Sequence, residues 1–289
     1  MSETSANLPP SDVPGHFRTV LVDTSLLVEQ QKRPKYATPV REALADFQFK
    51  GASSYSKREF KHAWLQRFAY IHTVCRLPNV QSLSDVMDHI THKLGSRSEL
   101  RRQLQTCMDM MTHFLDLEAS SISKRSQLAR LRTHMKRCAL DGTEAVSQMV
   151  TGEFKGTGCI RAEEPVTESP DGSLNATIRR CSPAKIQCQV HKLFESNQAT
   201  FATLADYVDG HSTEASDELD RMRDVIRLAQ KSPTCLCDDR HCVRLADALI
   251  AVDGQSMEVF AANNDSEWVP IASVMGKQLR NPVSAAKHE

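Results

Sequence analysis

Residues 17–22, Phe-Arg-Thr-Val-Leu-Val, are a short β-branched apolar run that ends in Asp23-Thr24-Ser25. An apolar run without alternation predicts a strand buried on both faces of a parallel sheet, with a polar group at its carboxyl end. The spacing then changes: Val40, Leu44 and Phe47 predict a helix over 37–48. Gly51-Ala52-Ser53-Ser54 breaks that pattern and leaves room for a very short strand. From Ser56 onward, Phe60, Trp64, Phe68 and Ile71 lie on one helical face, and Pro78 ends the run.

The middle of the chain reads as helix. The segments 80–94 and 99–117 each carry an apolar stripe, a Lys/Arg-rich helix over 123–140 follows, and about one more helix comes after Gly142. Residues 151–176 hold four glycines and two prolines with few large apolar groups, which predicts a loop or hairpin excursion. Helical spacing returns over 183–208 and 212–231. Strand-and-helix character then resumes: a helix over 240–252 around Asp247, a strand over 257–262 ending in Asn263-Asn264-Asp265, and a helix over 270–279. Alternating strands and helices at both ends predict an α/β fold.

Length narrows the architecture. At roughly 150 residues per domain, a chain of 289 holds about two domains, or one domain with a large insertion. Lys+Arg 36 balances Asp+Glu 36, which excludes a disordered polyelectrolyte and a simple cationic coat for nucleic acid. No apolar run approaches the roughly 18 residues of a membrane span, so no membrane role is expected. The opening MSETSANLPPSDVPG has neither a basic nor an apolar export region and reads as a disordered lead-in. With nine cysteines, an odd number, reduced thiols and a cytoplasmic setting are expected.

Four carboxylates stand where charge is unexpected. Asp23 and Asp265 end strands, Glu59 lies in the first turn of a helix, and Asp247 interrupts Leu245-Ala246-Asp247-Ala248-Leu249-Ile250-Ala251. Carboxyl ends of parallel strands and the helix starts beside them meet along one sheet edge, where such acids can converge. A converged set repels itself unless a hard divalent cation, Mg²⁺ or Mn²⁺, neutralises it. Each acid alone has another reading. Asp23 and Asp265 fit turn or N-cap roles, and Ser56-x-x-Glu59 fits a capping box. Asp247 resists such a reading best, because a charge among apolar neighbours is costly unless paired.

In order along the chain, VLVDTSLL, SSYSKREF, LADALIAV and FAANNDSEWVPIASVMG resemble the successive motifs of PIN-domain nucleases. The resemblance covers about residues 17–68 and 232–280, under half the chain. It implies a three-layer α/β/α fold with a parallel sheet and a mainly helical insertion. The expected divisions are a lead-in over 1–16, a PIN-like core over 17–71 and 232–280, the insertion over 72–231 and a tail over 281–289. It further implies a metal-dependent endonuclease hydrolysing phosphodiester bonds, RNA before DNA. Asp23, Glu59, Asp247 and Asp265 would hold the Mg²⁺ or Mn²⁺ that activates a water and stabilises phosphate charge. Small members of the family are toxins held by antitoxins, so an inhibitory or defence-system protein partner belongs to the same expectation.

Thr24 and Ser25 are candidates to position water or phosphate by hydrogen bonding, and Lys57 and Arg58, flanking Glu59, to position substrate. The basic helix with Lys124, Arg125, Arg130, Arg132, Lys136 and Arg137 reads either as a phosphate-contacting face or as a solvated one. Cys181, Cys188 and His191, with Cys235, Cys237 and Cys242, supply soft ligands in number for a structural Zn²⁺. Buried or redox-active thiols are the alternative. Two other function classes stay open: a structure-specific DNA nuclease, since the insertion is helical, and a non-catalytic PIN-like binding or regulatory protein.

Overall fold

The computed structural model describes residues 19–29, 34–95, 100–117, 124–159, 164–178, 188–211 and 216–282. Strand β1 (Thr19–Val22) leads into the short helix α1 (Thr24–Glu29), and α2 (Pro34–Ala45) returns to β2 (Phe49–Ser53). Helix α3 (Ser54–Phe60) follows directly. It passes through a π-helical turn at Lys61–Leu65 into α4 (Gln66–Val74), so one helical run spans twenty-one residues. Helices α5 (Leu83–Gly95), α6 (Arg101–Leu117) and α7 (Lys124–Met149) come next, then β3 (Gly152–Phe154) and a hairpin of β4 (Thr167–Glu168) with β5 (Leu174–Asn175). The chain continues through α8 (Val190–Ser196), α9 (Gln198–Gly210), α10 (Asp217–Lys231), a 3-10 turn at Pro233–Cys237, α11 (Asp239–Arg244) and α12 (Ala246–Asp253). It ends in β6 (Val259–Ala261), α13 (Asp265–Val274) and β7 (Gln278–Arg280).

Five strands form one sheet in the order β3-β2-β1-β6-β7, every pair parallel. Strand β1 lies at the centre, with Val20 opposite both Lys50 and Val259. From β1 the chain builds outward through β2 on one side, and later through β6 on the other. The carboxyl ends of β1 and β6 therefore flank a topological switch point, where doubly wound sheets open a crevice.

Alternation along β1 and β6 sets the layers. Val20, Val22, Val259 and Ala261 face a core shared with α1, α2 and α4–α7. Leu21, Phe260 and Ala262 face a second core shared with α8–α13. This is the expected α/β fold with a parallel sheet between two helical layers. The helices after residue 72 do not form a separate body. Trp64, Phe68 and Ile71 share one buried cluster with Cys107, Met111 and Phe114 of α6 and Leu131 and Met135 of α7.

Several expectations need correction. The segment 72–231 does not stay outside the sheet, because it supplies the edge strand β3 beside β2. Helix α7 is continuous through Gly142, where two helices were expected. A Cβ there would run into the Leu65 side chain, so this glycine lets α7 approach the π-helical turn closely. The expected helix over 240–252 is two, α11 and α12, joined at Leu245 with φ −101°. The last helix starts at Asp265 and carries Pro270 inside it, and 278–280 is a strand. Helix α3 is capped by Ser53, whose side chain accepts from the Tyr55 amide, so Ser56 and Glu59 form no capping box.

Candidate active site

Asp23 follows β1 directly, and its amide donates to the Ala261 carbonyl of β6 at 2.9 Å, pinning it at the switch point. Its carboxylate is fixed on one side only. The Ser25 amide and hydroxyl both donate to Oδ2, at 2.9 and 2.5 Å, while Oδ1 is buried without a hydrogen-bond partner. Ser25 Oγ in turn accepts from the Asn263 amide at 3.1 Å, tying this turn to the end of β6. Glu59 enters from α3, where Thr24 Oγ1 donates to its Oε2 at 3.0 Å. Asp247 lies in the first turn of α12, and Glu267 in the first turn of α13. All four acids line one pocket of about 370 Å³, with Thr24, Ser25, Asn264 and Trp268 beside them.

The acids in this pocket press one another toward protonation. Burial and the Asp23 carboxylate raise the Glu59 pKa from 4.5 to about 7. Burial raises Asp23 as well, against the hydrogen bonds from Ser25. Asp247 is raised well above its ordinary value by burial, by its hydrogen bond with Glu267 and by the Asp23 and Glu59 charges. Burial is the largest cause for each of the three, and like charges facing one another across the pocket add to it. The donors are hard oxygens, and one buried oxygen lacks a partner, a set that suits Mg²⁺ or Mn²⁺. Among the described residues no group of three His, Cys, Asp or Glu side chains is arranged to hold an ion as it stands. Closing on a cation therefore requires side-chain rotation, with water completing the shell, as Mg²⁺ commonly permits.

Five of the sequence-derived site residues, Asp23, Thr24, Ser25, Glu59 and Asp247, meet in the pocket. Asp265 does not line it. It is exposed and accepts a hydrogen bond from Asn281 Nδ2 at 2.9 Å. Glu267, which the sequence did not single out, takes that place. At about 100° per residue, two residues further along α13 is more than half a turn away, so only one of the pair can face the crevice. Lys57 and Arg58 do not line the pocket either. Lys57 pairs with Glu153 at 2.6 Å. Arg58 is buried, donating to Tyr55 Oη at 3.3 Å and Asp239 Oδ1 at 3.0 Å. The cations that do line it are Arg221 of α10 and Arg244 of α11, both exposed.

Among the described residues the cysteines and histidines form no group of three placed to hold a zinc ion. Cys235 and Cys237 sit half-buried on the 3-10 turn, and Cys235 O lies 3.1 Å from His241 Nδ1. Cys242 is turned into the core, where burial and the nearby Cys188 and Cys159 keep its thiol protonated. Cys188 is within 3.9 Å of the Thr157 carbonyl. Cys181 lies outside the described residues. Cys159 belongs to the same cysteine-rich stretch of the sequence but was outside the expected ligand set. It too lies near Cys242, and the Gln189 amide bond to Thr157 O holds its segment beside Cys188. Comparison with protein-family models, with curated proteins and with solved structures returns no match for this chain.

Proposed function

We propose that the carboxylate pocket is the active centre of a metal-dependent endonuclease that hydrolyses phosphodiester bonds, RNA before DNA. One observation carries this reading: Asp23, Glu59, Asp247 and Glu267 arrive from four separate elements and line one pocket at the sheet's switch point. Such a convergence is destabilising on its own, so a fold gains from it only with a cation to bind. A bound Mg²⁺ or Mn²⁺ would lower the pKa of an attacking water and neutralise charge on the scissile phosphate.

The chain's own groups set the stage for that chemistry. Ser25 holds Asp23 Oδ2, leaving Oδ1 for a cation. Thr24 orients Glu59, which near neutral pH can exchange a proton with water because its pKa is about 7. Arg221 and Arg244 stand on the wall of the same pocket, where guanidinium groups suit phosphate oxygens. The preference for RNA rests on the PIN-domain resemblance of the four sequence motifs. A non-catalytic binding protein is the less favoured reading, because four carboxylates still meet in one pocket, with Glu267 in the place expected of Asp265.

The test is cleavage of single-stranded RNA, single-stranded DNA and a flapped duplex by purified protein, with Mn²⁺ and with EDTA. RNA cleavage that EDTA abolishes supports the reading. Cleavage confined to the flapped duplex would move the assignment to a structure-specific DNA nuclease. Binding without cleavage of any substrate would overturn it.

A further inference from the structure

A second concave site lies on the opposite helical layer, between α4, α7 and the β4–β5 hairpin. It is a cavity of about 550 Å³, within the usual span for small-ligand sites. Its wall carries Arg76, Arg132, Lys136 and Arg137, with His72 at its base. Positions 132 and 136, and 133 and 137, are four apart, so α7 presents two neighbouring rows, about 100° apart round the helix, and both line the cavity.

The acids nearby leave that positive charge only partly answered. Glu168 takes Lys136 at 2.7 Å. Asp171 spends its Oδ1 on Ser173, whose amide and hydroxyl donate at 2.9 and 2.7 Å; Arg76 donates to its carbonyl, and the Arg76 charge also helps hold its carboxyl below the ordinary value. Asp141 is the remaining acid of the lining. Arg132 and Arg137 are both exposed, and no ion pair engages either among the described residues. A second and independent sign is His72. It is 3% exposed, lines the cavity, and its Nδ1 is buried without a hydrogen-bond partner.

We propose that this cavity is a phosphate-binding site, which takes a phosphate group of a nucleotide or polynucleotide on Arg132 and Arg137 with Arg76 and His72 behind them. Guanidinium groups match phosphate oxygens in pairs, and three of them converge here. Among the described residues no Phe, Tyr or Trp lines the cavity to stack a base, and the His72 ring is buried. Recognition is therefore of the phosphate rather than of sequence. The site stands apart from the acidic pocket: Glu59 and His72 lie thirteen residues apart on one helical run, about 20 Å at 1.5 Å per residue. It does not rest on the nuclease reading.

The experiment measures binding of a fluorescent twelve-nucleotide RNA, with pyrophosphate as competitor, and of pyrophosphate alone by calorimetry, in EDTA so that cleavage plays no part. The test variant is Arg132→Gln/Arg137→Gln, both at exposed positions. The reference is Lys192→Gln/Lys231→Gln, which removes the same charge from exposed positions elsewhere. The expected result is a roughly 10- to 30-fold weaker RNA complex for the test variant only, with the log–log salt slope reduced by about 1.4. Competition by pyrophosphate, lost in the test variant, places the phosphate group itself in the cavity. Weaker RNA binding without pyrophosphate competition supports the polynucleotide as ligand, and pyrophosphate binding without RNA binding supports a mononucleotide. Equal losses in both variants, or no binding of either probe, would overturn the proposal. Metal-dependent cleavage by the wild-type chain is read separately, so neither proposal's failure imitates the other's.

Discussion

The acidic pocket and the basic cavity sit at opposite ends of one helical run from Ser54 to Val74, and they meet the cost of crowded charge differently. Carboxylates can shed charge by taking a proton, and Glu59, Asp23 and Asp247 all move in that direction. Guanidinium groups cannot, because an arginine does not deprotonate in a protein. The basic cavity instead leaves Arg132 and Arg137 in water and spends its hairpin acid on Lys136. The acidic end thus changes its charge near neutral pH, and the basic end keeps its positive charge at any physiological pH.

The largest expected effect separates true members of the acidic pocket from a near neighbour. Asp247→Asn and Glu267→Gln should each reduce Mn²⁺-dependent RNA cleavage by at least about 10²-fold, since each removes a charge the cation needs while keeping side-chain shape. Asp265→Asn should stay within about twofold, because Asp265 faces Asn281 and not the crevice. Rates would be compared at saturating Mn²⁺, with thermal unfolding as the check on folding. Equal losses for Asp265 and Glu267 would remove the geometric basis of the assignment.

That contrast also shows what was legible in the sequence. Asp247 stood out because a charge within an apolar run is costly unless paired, and Asp23 because it closes a buried strand, although a turn or N-cap role was open to it as well. Glu267 sits in Ser-Glu-Trp-Val-Pro, an ordinary helix first turn, and only the rotation of α13 brings it inward. Arg221 was hidden in the same way. Helix α10 is charged over most of its length, and nothing in the sequence says which charges the sheet layer turns toward the crevice. The strands β1 and β6 were legible through their apolar runs. β3 and β7, Gly-Glu-Phe and Gln-Leu-Arg, are three residues each without β-branched side chains and carry no periodic signal. That helices cover both faces of the sheet was expected, but which helices cover which face could not be read, since it depends on how each distant helix packs.

The second effect is on stability against pH in EDTA. Glu59 has a folded pKa near 7, above its ordinary 4.5, so between those values the folded state binds more protons than the unfolded one. Stability from this group is full below about pH 4.5 and is lost as pH rises through 7. Asp23 and Asp247 shift in the same sense. The loss for Glu59 is at most about 3 kcal/mol, and nearer 1–2 after solvent screening of a half-buried group. The melting temperature in EDTA should therefore fall from pH 5 to pH 8, Glu59→Gln should flatten that fall, and Mn²⁺ should reverse it above pH 7. A flat wild-type profile would mean that the acids do not press on one another.

A third effect tests the seam that holds the basic helix against the run linking the two sites. Gly142→Ala places a Cβ against Leu65, and the crowding should cost about 1–3 kcal/mol by denaturant unfolding. Its mid-helix position would otherwise favour alanine by about 1 kcal/mol, so a stabilised variant would show that α7 can move away freely. RNA cleavage per folded molecule should stay near wild type, because the acidic pocket lies on the other side of α3.

The smallest expected effect concerns the two arginines of the acidic pocket. Arg221 and Arg244 are exposed, so their attraction for phosphate is screened by salt and each contributes only one contact. Arg244→Gln should weaken RNA binding by about five- to tenfold at low salt and reduce the log–log salt slope by about 0.7, while the rate at saturating RNA stays within about threefold. That separation matters for the comparison of the two ends. A cation that only recruits substrate raises the apparent KM when removed, whereas one that stabilises the reacting phosphate lowers the saturated rate as well. Steady-state cleavage as a function of RNA concentration, at two salt concentrations, distinguishes them. If the saturated rate of Arg244→Gln fell as far as that of Asp247→Asn, Arg244 would have to act on the scissile phosphate itself. The acidic pocket would then be a mixed site, with a fixed positive charge sharing the task assigned to the divalent cation. If neither KM nor rate changed, the basic cavity between α4 and α7 would stand as the principal phosphate contact of the chain.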